Sequence, residues 1–184
     1  NILNPFLVSI VVLILLAFKA TDDTMEAVAW ILITIAISVL PVFILVLFML
    51  RLKKLDGFFN STRQQRTGIY LVTAFLGAAD CVLLWYLKVP ELLLETFCAG
   101  LVAVAVFTAV NRFWKISLHS AFIAAAVSIL IIVFGSMMAW ALFLLPLVAW
   151  SRLTLKQHSL AQVTVGAILA AAIVSGVFWI FQVT

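Results

Sequence analysis

Long apolar runs alternate with short polar connections along the whole chain. The runs lie near residues 3–19, 27–50, 68–88, 91–111, 120–135, 137–150 and 160–182. A helix that crosses a bilayer needs about 20 mostly apolar residues. Lipid offers no partner for open backbone groups, so each run is expected to be helical. The pattern therefore predicts an all-α, polytopic transmembrane bundle of six to seven spans. The fifth and sixth runs are short and meet at Gly135-Ser136, which predicts a hairpin of modest depth. Pro41 and Pro146 fall inside apolar runs and are expected to kink their helices. His158, Gln162, Gly166 and Ala170 recur every four residues and form one helical stripe. The small members of that stripe suit close helix packing.

Composition agrees with this reading. Of 184 residues, 67% are hydrophobic and 10% charged, which excludes an ordinary soluble globule, a disordered tail and a disulfide-rich secreted module. The spans and their connections use nearly the whole chain, so residues 1–184 are read as one integral membrane domain. The first run has no basic leader and is read as a span rather than a signal peptide. Cys81 and Cys98 lie in apolar runs and are read as small buried hydrophobes.

The net charge of +4 comes from 11 basic and 7 acidic residues. The basic residues sit in short connections, which points to headgroups and orientation rather than nucleic acid. Seven crossings put Arg51, Lys53, Lys54, Arg63, Arg66, Arg112, Lys115, Arg152 and Lys156 on one side. The other side holds Lys19 and Lys88 with Asp22, Asp23, Glu26, Glu91 and Glu95. The positive-inside rule turns the basic side to the cytoplasm. Two spans separate each basic connection from the next, so all three are expected to return to one face.

Those connections hold the candidate chemistry. They read Asn60-Ser61-Thr62-Arg63-Gln64-Gln65-Arg66, then Asn111-Arg112-Phe113-Trp114-Lys115-Ile116-Ser117-Leu118-His119, then Ser151-Arg152 through His158 to Gln162. Arginine forks match phosphate oxygens. Helix N-termini near 120 and 160 add N–H donors and positive dipole ends. His119 and His158 can exchange protons near neutral pH, and a neutral imidazole can attack phosphorus. Gln162, one turn below His158, can hydrogen-bond its ring and set the tautomer. The segments contain no acidic cluster for magnesium, no Gly-rich phosphate loop and no metal-type His or Cys spacing. The set fits metal-independent cleavage of a phosphate ester, with no cofactor, at a membrane surface. Asp80 stands apart: it lies mid-span, where an ionisable residue is costly and suggests function.

Ser151-Arg152, five residues and His158 resemble the third signature of the type 2 phosphatidic acid phosphatase and haloperoxidase superfamily, Ser-Arg-x5-His-x3-Asp. Ile116-Ser117-Leu118-His119 resembles its second, Pro-Ser-Gly-His, and Arg63 with Arg66 the basic end of its first, Lys-x6-Arg-Pro. The resemblance covers roughly residues 54 to 170. It implies that His158 attacks phosphorus and becomes phosphohistidine, and that His119 protonates the leaving group and then activates water. Arg152, Arg66, Arg63 and Lys115 would hold the phosphoryl oxygens, with Ser117 donating a hydrogen bond. The implied substrate is a lipid-borne phosphate monoester or a polyprenyl diphosphate. Phe59 stands at the family Lys position, Thr67 replaces Pro, Ile116 and Leu118 replace Pro and Gly, and Gln162 replaces Asp. A neutral amide orients an imidazole but does not stabilise imidazolium as a carboxylate does. The rival expectation is a non-catalytic lipid-phosphate binder or transporter that keeps the basic pocket.

Overall fold

The computed structural model describes residues 4–53 and 63–182, the side chains of 63–66 excepted. Among them all regular structure is helical. Helices are α1 (Pro5–Ala20), α2 (Thr24–Thr34), α3 (Leu40–Arg51), α4 (Arg63–Tyr86), α5 (Glu91–Asn111), α6 (Leu118–Phe134), α7 (Leu144–Thr154) and α8 (Leu160–Ile180). A π segment, Ile35–Val39, joins α2 to α3, and a 3-10 segment, Gly135–Phe143, joins α6 to α7. The chain divides into two compact units, Ala17–Lys115 and Asn1–Leu16 with Ile116–Thr184.

Among the described residues, five helical runs have the length and apolarity to cross a membrane: Thr24–Arg51, Thr67–Tyr86, Glu91–Asn111, Leu118–Thr154 and Leu160–Ile180. Two differences separate this from the expected six to seven. The first apolar run forms a helix of only 16 residues. The fifth and sixth runs follow one another without a loop: α6 ends at Phe134, Gly135 turns the chain, and the 3-10 segment leads directly into α7, so the two count as one apolar stretch, Leu118–Thr154.

Pro41 and Pro146 each follow a change of helix type. Proline has no N–H, and its ring excludes the carbonyl four residues back. For Pro41 that carbonyl belongs to Ile37, inside the π segment, and for Pro146 to Leu142, inside the 3-10 segment. The helix thus changes its hydrogen-bond register just before each proline.

In the unit Ala17–Lys115, the Asp23 side chain caps α2 by accepting the Glu26 N–H at 3.0 Å. Helices α4 and α5 form an antiparallel hairpin. Asn111 Nδ2 donates to Thr67 Oγ1 at 3.1 Å, so the end of α5 is tied to the start of α4.

In the other unit, Gly135 adopts φ 77°, ψ −168°, a conformation that side chains resist. Beyond it the chain packs back on α6. Ile123 and Val127 of α6, Ala141 and Val148 form a buried cluster, joined by Val8 of α1. Helix α8 buries the stripe Val163, Gly166, Ala170, Val174 and Phe178, and its main packing partner is α6.

Candidate phosphate site

The Arg152–His158 spacing is a consequence of two helix caps placed back to back. Helix α7 closes with the Gln157 N–H on the Arg152 carbonyl (3.2 Å) and the Lys156 N–H on the Leu153 carbonyl (2.9 Å). These are the paired bonds of a Schellman motif, with Lys156 in the left-handed position at φ 52°. Two residues later Ser159 caps α8, its Oγ accepting the Gln162 N–H at 3.3 Å. Gln162 Oε1 in turn accepts the Ser159 N–H at 3.2 Å, which completes a capping box. Five residues therefore suffice to end one helix, reverse the chain and present His158 at the mouth of the next.

The same Gln162 oxygen lies 3.1 Å from His158 Nδ1. That oxygen already accepts from a backbone N–H, so it is the amide carbonyl. A carbonyl can only accept, so the ring nitrogen facing it must donate. Neutral His158 thus carries its proton on Nδ1 and its lone pair on Nε2. The sequence expectation that Gln162 orients His158 agrees with this geometry.

The Arg152 guanidinium is folded into the reverse turn and only 3% of the residue is exposed. Its Nη1 donates to Gln157 Oε1 at 3.0 Å and its Nη2 to Ser151 Oγ at 3.1 Å, while Nε is buried without a partner. Both acceptors are neutral. No aspartate or glutamate occurs between Glu95 and the C-terminal Thr184, nor before Asp22. The unit that contains Arg152 accordingly holds no carboxylate to balance it. A buried cation without a counter-ion is costly, and an anionic ligand relieves that cost.

Ser117 begins α6 and is fully buried. Its Oγ lies 3.0 Å from Ser120 Oγ and caps the Ser120 N–H. The Ser117 N–H donates to the Gln162 backbone carbonyl at 3.2 Å. Gly166 makes this approach possible. A Cβ there would lie 2.6 Å from Ile116 Cγ2 and 2.9 Å from the Ser117 carbonyl oxygen. The N-terminus of α6 is thereby laid on the first turns of α8. His119, the second residue of α6, is 7% exposed. His119, Ser117, Arg152, His158 and Gln162 all belong to this one unit, in which the Ser117 and Gln162 segments meet at the N-termini of α6 and α8.

The remaining sequence candidates belong to the unit Ala17–Lys115. Lys115 is its last residue and is half-buried. Arg63 and Arg66 lie on the first turn of α4, but their side chains fall outside the described residues, as does Phe59. Asp80 is half-buried on α4 with its carboxyl facing Ser38 of the π segment.

Sequence reasoning missed the supports of the site. Gln157 reads as spacer, yet it holds Arg152. Ser159 was legible as the first residue of a Ser-x-x-Gln box, but Gln162 drew notice only for its relation to His158.

No protein-family model matches the chain, and no curated protein or solved structure shows significant similarity to it.

Proposed function

We propose that this chain is a polytopic membrane phosphatase that hydrolyses a lipid phosphate monoester or a polyprenyl diphosphate through a phosphohistidine. The reading rests on the reverse turn that buries Arg152 between two neutral acceptors and brings His158 Nδ1 to within 3.1 Å of Gln162 at the start of α8. His158 Nε2 attacks phosphorus, and the bond to the leaving oxygen breaks. His119 donates the proton that oxygen needs. Water, deprotonated by His119, then attacks the phosphohistidine and releases inorganic phosphate. Arg152 and Ser117 hold the phosphoryl oxygens. The mechanism calls on no metal ion, because arginine forks and helix N-termini supply the positive field.

Seven crossings accommodate these segments. The 3-10 segment and α7 together reach about 34 Å at roughly 2.0 and 1.5 Å per residue, enough for the ~30 Å hydrocarbon core. Helix α1 reaches about 24 Å and crosses with its flanking residues. The excess of Lys and Arg beside the site turns it to the cytoplasm.

A second reading keeps the pocket without the chemistry, as a lipid-phosphate binder or transporter. Gln162 favours it, since a neutral amide gives imidazolium no counter-charge.

The test is inorganic phosphate release by purified protein, with EDTA present, from a panel of lipid phosphates and diphosphates. The phosphatase reading expects release from at least one member and none after His158→Ala. Binding that survives without release, in folded wild-type protein, supports the second reading instead.

A further inference from the structure

Outside the candidate site, the α4–α5 hairpin brings two nucleophilic side chains face to face. Cys81 Sγ and Cys98 Sγ are 3.9 Å apart, and both residues are half-buried thiols. Their register is held along the hairpin. Thr67 meets Asn111 at one end of the seam, and Gly77 packs against Leu101 one turn from Cys81. The residue numbers of these facing pairs sum to nearly the same value, so the helices stay in antiparallel step across the seam. Small residues such as Gly77 and the cysteines themselves let two backbones approach closely in a membrane. A disulfide needs a separation of about 2.05 Å, so each sulfur has to move by only about 1 Å, within reach of side-chain rotation.

We propose that Cys81 and Cys98 are a dithiol–disulfide couple, oxidised in place by a lipid-soluble two-electron acceptor of the quinone class. Two S–H bonds break and one S–S bond forms. Two electrons and two protons pass to the quinone, which becomes a hydroquinone. The product has no charge and no new polar group, so it suits the apolar span where the pair sits. Sulfinate or sulfonate at either cysteine would place an anion among apolar side chains, which is costly. Pairing is therefore the favoured fate of oxidation, and it staples α4 to α5. The acceptor must itself enter lipid, because both sulfurs lie roughly 8–10 Å along their helices from the Tyr86 and Glu91 ends.

The experiment uses the full chain in phosphatidylcholine vesicles, treated with a fully substituted quinone that cannot add thiols. The protein is then denatured, alkylated with iodoacetamide and weighed intact. Both adducts are expected to disappear together, leaving monomeric protein lighter by two hydrogens, and phosphine reduction after denaturation restores both. In Cys81→Ser and Cys98→Ser the remaining thiol keeps its adduct. The proposal is overturned by accumulation of a one-adduct species, by covalent dimers, or by survival of both thiols where a lipophilic dithiol in the same vesicles is oxidised. Should the serine variants not fold, the wild-type distribution between two adducts and none decides the matter alone.

Discussion

The Ser117 N–H donates to the backbone carbonyl of Gln162 at 3.2 Å, while the Gln162 side chain holds His158 and caps α8. One residue thus links the segment that carries His119 to the segment that carries His158. On the proposed mechanism these are the proton donor and the nucleophile, and the precision of their placement rests on this contact.

Gly166 guards that contact. Gly166→Ala puts a methyl group within 3 Å of Ile116 and the Ser117 carbonyl, so the Ser117 segment must shift. Overpacking of this kind costs about 1–3 kcal/mol. A lower melting temperature is expected, with kcat falling by about 10²-fold if the two histidine segments separate by an ångström. Gly176→Ala is the control, because a Cβ there meets nothing within 4 Å. Its activity and stability should stay near wild type.

Arg152 separates stability from function. Burying a charge among neutral partners is costly, so an apolar chain of similar length at this position is expected to cost little stability. Arg152→Met is therefore expected to leave the melting temperature near that of the wild type while lowering phosphate release by about 10²–10³-fold. Thermal unfolding and turnover measured on one preparation check both halves. Equal losses of stability and activity would mark Arg152 as structural.

Gln162→Glu keeps the capping box, since glutamate serves that position as well as glutamine. It also sets a carboxylate against His158 Nδ1. That charge stabilises the imidazolium through which the nucleophile and its leaving form pass, and kcat is expected to rise about tenfold or more. Gln162→Ala loses both the cap and the ring contact, and should fall in activity and in stability.

The pH profile gives an independent sign. His158 must be neutral to attack, and His119 must be protonated to donate, so the rate should fall on both sides of a maximum. A carboxylate at position 162 favours imidazolium and raises the pH at which His158 becomes neutral. The acidic limb of Gln162→Glu is therefore expected at higher pH than that of wild type, with the alkaline limb little changed. An acidic limb that does not move would remove His158 from the nucleophile role.

Hydropathy located α4, α5 and α8 closely because each is a single long apolar run with polar ends, broken mid-span by Asp80 in α4. It could not tell that the run through Pro41 passes into a π segment while the run before Pro146 is 3-10. Either register relieves a missing N–H, and the choice depends on packing. The hairpin at Gly135 was legible, since glycine there tolerates a positive φ. The reversal at Lys156 was not, because a left-handed cap usually announces itself with glycine. The Arg152–His158 spacing drew attention to the site, but a motif written with five unspecified residues conceals that Gln157 grips the arginine. Unit-wide absence of acidic residues around Arg152 was equally plain in the sequence, yet it gains meaning only once the guanidinium is known to be buried.

The most direct measurement is capture of the covalent intermediate. Purified protein is mixed with a lipid phosphate labelled in its phosphoryl group, quenched in alkali to preserve phosphohistidine, and digested for peptide mapping. The mechanism places acid-labile label on His158 and none on His158→Ala. Label on another residue, or turnover with no label on His158 at any time point, would contradict it.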